Sequence, residues 1–165
     1  MVPDVPPRMP APKPLVLETS VEIDVPVEKL FRFHLDTRNA PLISPPDSRI
    51  LSVDGTFPVT DGSEVRLKVR QLPLPFPMDW HIRIEAVVAN EAIVDVALKS
   101  PFPSWRHEHR FEALGRDRCR LTDRVTYTLP GGPMGPVLDK IIFRKKLMKS
   151  FADRHRNTKT LMERS

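Results

Sequence analysis

The stretch Trp105-Arg106-His107-Glu108-His109-Arg110-Phe111 alternates with the period of a β-strand. Trp105, His107, His109 and Phe111 fall on one face; Arg106, Glu108, Arg110 and Glu112 fall on the other. The second face is charged and belongs in water. The first sets two imidazoles between aromatic rings, which an ordinary apolar core does not need, so this face is expected to border an interior that meets something polar.

The next segment extends the same logic. After Gly115-Arg116-Asp117, the residues Cys119, Leu121, Asp123, Val125, Tyr127 and Leu129 alternate with Arg118, Arg120, Thr122, Arg124, Thr126 and Thr128. Opposed residues of an antiparallel pair share a face, so the two inward sets meet across the hairpin. A five-residue loop sets His109 opposite Asp123 and Trp105 opposite Tyr127; a three-residue loop sets His107 opposite Asp123. In both registers a carboxylate meets an imidazole.

Further upstream, Leu15, Leu17, Thr19, Val21, Ile23 and Val25 form the apolar side of a long first strand that ends at Pro26. Val27 to Leu35 carries Leu30, Phe31, His34 and Leu35 at helical spacing, and Asn39 to Ile43 predicts a second short helix, broken by Pro45-Pro46. Strands follow at Arg49 to Val53, Ser63 to Gln71, Trp80 to Val88 and Ala92 to Lys99. Between two of them, Leu72-Pro73-Leu74-Pro75-Phe76-Pro77-Met78 is apolar yet barred by its prolines from pairing. We expect this loop either to pack on its own domain or to form the lip of a ligand cavity. Residues 1–14, with six prolines, are expected to be a disordered tail, and residues 15–162 a single domain.

Gly131-Gly132-Pro133-Met134-Gly135-Pro136 breaks the sheet and predicts a helix from Pro136 to about Met162. At 100° per residue, Val137, Leu138, Ile141, Met148, Phe151 and Ala152 share its buried stripe. Arg144 falls inside that stripe, either snorkelling at its end or facing a cavity as a cation for an anionic group.

The chain has 165 residues, a net charge of +5 and one cysteine. That length supports one apolar core, and a lone cysteine excludes a disulfide framework and a thiolate zinc site. A reducing cytoplasm is the expected location. No stretch approaches the ~18 apolar residues of a membrane span, so no integral membrane association is expected. Much of the positive charge lies in the last segment, as Lys140, Arg144, Lys145, Lys146, Lys149, Arg154, Arg156 and Lys159. It lacks the aromatic or zinc-finger signatures of a nucleic-acid surface, and we expect a solvated helix face and no nucleic-acid partner.

One strand, two short helices, a run of antiparallel strands and a long final helix give an α+β order. That order resembles the helix-grip fold of the START-like (SRPBCC) superfamily, which includes lipid-transfer domains and the polyketide cyclase/dehydrase proteins. Phe33-His34-x-Asp36-x-x-Asn39, Ile43-x-Pro45-Pro46, Trp105-x-His107-x-His109-x-Phe111 and Asp123-x-Val125-x-Tyr127 look like the recurring pattern of its bacterial stand-alone members. The resemblance covers about residues 15 to 162. It implies a curved sheet of about seven strands wrapped around the C-terminal helix, with a ligand cavity between them.

The expected ligand is an apolar small molecule, lipid-, polyketide- or aromatic-like. Trp80, Trp105, Phe111, Tyr127, Ile141, Met148 and Phe151 are its expected apolar contacts, with His107, His109, Asp123 and Arg144 at the polar end. A cyclase or dehydratase would instead use His107 or His109, oriented by Asp123, as a base. A regulatory role through the helix and tail is the third alternative. For a metal, Glu112 points outward and only Asp123 remains as a third ligand beside the two histidines, so no metal and no other cofactor are expected.

Overall fold

The computed structural model describes residues 13–165, so all but the last two residues of the proline-rich tail lie outside the described residues. The chain forms β1 (Leu15–Ile23), α1 (Val27–Leu35), a 3-10 helix (Thr37–Ile43) and β2 (Ser48–Asp54). These are followed by β3 (Glu64–Gln71), β4 (Met78–Val88), β5 (Ala92–Lys99), β6 (Ser104–Gly115) and β7 (Arg118–Thr128). A helical run then begins with a 3-10 turn (Gly132–Met134) and α2 (Gly135–Leu138), continues through a π turn (Asp139–Phe143) and ends in α3 (Arg144–Arg164).

The strands form one antiparallel sheet in the order β1-β7-β6-β5-β4-β3-β2. This is the helix-grip α+β fold: a curled sheet gripping a long C-terminal helix. The connection from β1 to β2 carries α1 against β6 and β7, while α3 lies against β1 and the 3-10 helix. Pro41 sits inside that 3-10 helix, and the Asp36 side chain caps it by accepting from Arg38 N at 3.0 Å. Gly131 and Gly132 break the sheet with φ of 101° and 55°, a left-handed course that side-chain-bearing residues disfavour.

Alternation along the strands delivers the core. Ile23, Leu30, Val65, Cys119 and Leu121 are at most 1% exposed in one cluster, and Leu17, Val125, Tyr127 and Phe151 form a second beneath α3. The β6–β7 hairpin adopts the register in which His109 faces Asp123 and Trp105 faces Tyr127; a bulge between Ala113 and Gly115 tightens the turn.

The C-terminal helix departs from the unbroken α-helix expected. Five residues, Asp139–Phe143, form a π turn, and its extra residue shifts the phase of everything before it. Asp139 takes the inward position, accepting from Tyr127 OH at 2.5 Å, and Ile141 is turned out to 68% exposure. Met148, on the flank of the α3 stripe, is 52% exposed. Arg144 is exposed, donating to Val16 O at 3.1 Å on the outer edge of β1. The apolar loop after β3 is not buried either: Leu72, Leu74 and Phe76 are exposed, held to α3 by Lys146 Nζ donating to Leu72 O at 3.0 Å.

Candidate functional site

A cavity of about 360 Å³ lies between the sheet, α1, the 3-10 helix and α3. Its aromatic wall is built by Trp80 on β4, Trp105 on β6 and Phe102 in the loop between β5 and β6. The two indole rings meet edge to face at 5.4 Å, and Phe102 packs on Trp105 at 4.7 Å. Ile82, Ile84 and Ile93 line it from the sheet, and Leu147, Phe151 and Arg154 from α3. Gln71 and Met78, which flank the apolar loop, also line it, so the loop stands at its lip.

The polar wall comes from neighbouring strands. His107 and His109 leave the same face of β6, with ring centroids 4.0 Å apart, and Asp95 of β5 pairs with His107 across the ladder. All three line the cavity. Behind them Asp123 of β7 is 1% exposed and takes His107 Nε2 on Oδ1 at 2.8 Å. His155 of α3 donates through Nε2 to the other oxygen at 2.6 Å. His109 Nδ1 lies 2.6 Å from Asp123 Oδ1, but off the direction of a well-aligned hydrogen bond. His34 of α1 packs on His109 at 5.5 Å and donates through Nδ1 to Leu30 O, the usual acceptor one helical turn back.

A carboxylate has no proton to give at neutral pH, so each imidazole nitrogen facing Asp123 carries the hydrogen. That assignment leaves His107 Nδ1 and His109 Nε2 as bare lone pairs. Burial pushes the pKa values of His107 and His109 down, more strongly than Asp123 draws them up. Burial and the neighbouring His109 lower His34 to about 3. Burial opposes ionisation of Asp123, yet the surrounding imidazoles hold it well below the usual carboxylate range. Asp95 has no such donors, and burial raises it to about 6. The result is a wall of neutral imidazoles, poised to accept hydrogen bonds or protons.

Of the residues singled out in the sequence, Trp80, Trp105, His107, His109 and Phe151 border the cavity. Phe111 lies behind it, packed edge to face on Phe31 at 5.3 Å. Asp123 and Tyr127 are enclosed beneath it, Tyr127 against Asp139. Ile141, Arg144 and Met148 lie outside: the π turn swings Ile141 out, Met148 sits on the flank of α3, and Arg144, in phase with Phe151 but at the first turn of α3, snorkels to Val16 O of β1. The cations of α3 that line the cavity are Lys146 and Arg154, not Arg144. Sequence reasoning missed Asp95, His155 and Arg154. Two signals were present: Asp95 alternates with Ile93 and Ala97 on β5, and His155 follows Phe151 by four on α3.

Residues 23–147 match the family model described as polyketide cyclase / dehydrase and lipid transport. No curated protein matches the sequence. Among solved structures, a protein of Thermus thermophilus superposes with a TM-score of 0.71 at 14% identity, covering 90% of this chain and 97% of that one. The Zhui aromatase/cyclase of Streptomyces gives 0.69 at 14%, covering 92% and 94%. Truncated norcoclaurine synthase of Thalictrum flavum gives 0.68 at 12%, also covering 92% and 94%. At these identities the likeness is one of fold. No described helix is long and apolar enough to cross a membrane.

Proposed function

Because the chain belongs to the polyketide cyclase / dehydrase and lipid transport family, we propose that it binds an apolar, ring-bearing small molecule with hydrogen-bond donors at one end. The observation that carries this is the two-sided cavity, with aromatic side chains packed edge to face and tilted on one wall and acceptor nitrogens and a carboxylate on the other. Its volume of about 360 Å³ is within the range of small-molecule sites. Trp80, Trp105 and Phe102 offer flat faces to a ring. His107 Nδ1, His109 Nε2 and Asp95 favour phenolic or enolic hydroxyls over carbonyl oxygens, which bring no hydrogen.

Native mass spectrometry of the purified protein, followed by calorimetry with mono- and polyphenolic aromatics, tests the proposal. Binding of a polyphenol with loss of affinity on methylation of its hydroxyls is the expected result; equal affinity for the methylated ligand overturns the donor-end assignment.

The Asp123–His107 contact favours a second reading, a cyclase or dehydratase. An imidazole whose far nitrogen is held by a buried carboxylate can take a proton at its near nitrogen while the carboxylate stabilises the imidazolium. Two structurally similar proteins carry enzyme names, an aromatase/cyclase and a synthase. Exchange of a bound ligand's carbon-bound hydrogen for deuterium, abolished in His107→Gln, distinguishes chemistry from binding.

A further inference from the structure

Asp95 faces His107 and His109 without a proton between them. Its Oδ2 is 4.0 Å from His107 Nδ1 and 3.8 Å from His109 Nε2, and one ligand atom from each residue lies within 4.8 Å of the others. The three residues are 7%, 5% and 7% exposed. Among the described residues the hydrogen bonds of this cluster run to Asp123, and none reaches Asp95. The alternative tautomer of His109, with its hydrogen turned toward Asp95, would press a lone pair against Asp123 Oδ1 at 2.6 Å. Three acceptors on buried residues therefore converge on one point of the cavity wall, where a cation or a hydrogen-bond donor from the cavity satisfies them.

We infer that Asp95 Oδ2, His107 Nδ1 and His109 Nε2 bind one first-row divalent transition ion, of the zinc or ferrous class, with its remaining coordination positions open to the cavity. Two imidazoles and one carboxylate suit such ions and leave room for exogenous ligands. Asp123 supplies the outer carboxylate that fixes the tautomer and orientation of metal-binding histidines. A tetrahedral ion with bonds of about 2.0–2.2 Å holds its ligand atoms about 3.4 Å apart, so each Asp95–imidazole distance has to shorten by about 0.5 Å. Arg154 opposes the added charge, and Asp95 and Asp123 together offset it. The ion would take the three lone pairs that the proposed function offers to ligand hydroxyls, so it is a competing occupant of the same polar end, and its binding is read in the absence of any organic ligand.

The test is a titration of the full-length, chelator-treated protein with Co(II), followed by visible absorption and proton NMR, and then displacement by Zn(II). One equivalent of Co(II), with hyperfine-shifted ring protons from His107 and His109, supports the site. Asp95→Asn is expected to weaken binding about tenfold or more. His81→Gln, at an imidazole paired with Glu64 away from the cavity, should leave binding unchanged. Should Asp95→Asn fail to fold, the hyperfine shifts of the unaltered protein decide. Absence of stoichiometric Co(II) binding, shifts arising from other residues, or equal affinity in Asp95→Asn overturns the inference.

Discussion

Asp123 is 1% exposed and contacts three imidazoles, from two positions on β6 and one on α3. It joins sheet to helix through polar contacts, and removing its charge leaves the histidines competing for a single carbonyl oxygen. Asp123→Asn is expected to cost about 3 kcal/mol in urea unfolding, the upper end for a hydrogen bond to a charged group. A loss below about 1 kcal/mol would mean that His107 and His155 find other partners in the variant. Cys119 illustrates the opposite case. It is fully buried, and burial lifts its thiol to about 11. Between about 9 and 11 the unfolded chain has lost this proton while the folded one keeps it, so the thiol's contribution to stability falls as pH rises through that window. At pH 8 the native protein should resist iodoacetamide while the urea-unfolded chain is alkylated, as mass spectrometry of the quenched reactions would show.

Among the elements, β6 and β7 were the most legible, because strict alternation over eleven or twelve residues leaves only the register open. The register rests on a bulge at Ala113–Gly115, so the loop alternatives stayed open in the sequence. The helical run was less legible. A π turn inserts one residue without interrupting the apolar pattern, and a fixed angle of 100° per residue carries its error through every earlier position. Asp139 shows why the turn is tolerated: it is buried, and the Tyr127 hydroxyl satisfies it. Deleting Lys140 would restore α-helical spacing and swing Asp139 away from Tyr127. That deletion should lower stability by about 2 kcal/mol, near the cost of leaving a buried polar group unpaired; calorimetric Tm against the parent checks it. Asp95 was hidden for a different reason, since its significance depends on the lateral order β4-β5-β6, which alternation within one strand does not reveal.

At the scale of the molecule, the concave sheet is kept from water by α3, and the cavity is the space the two leave between them. Truncation after Gly132 removes the whole helical run and bares that face. The truncated chain is expected to aggregate or to lose its near-UV circular dichroism and cooperative melting. Filling the space should act on binding alone. Ser150 lines the cavity from α3 and is half-buried, so Ser150→Phe should displace a bound aromatic, seen as loss of the adduct in native mass spectrometry, with Tm unchanged or raised.

The placement of the aromatic residues has an optical consequence. The chain has two tryptophans and one tyrosine; Trp80 and Trp105 stand 5.4 Å apart on the cavity wall, and Tyr127 lies 6.0 Å from Trp105. Rings this close exchange excitation, so ultraviolet light absorbed by any of the three is emitted from the edge of the cavity. The intrinsic fluorescence therefore has no distant contributor to dilute it, and the coupled indoles give the protein a circular-dichroism signature that shifts when a guest moves either ring. Occupancy can be followed by spectroscopy in the unlabelled protein.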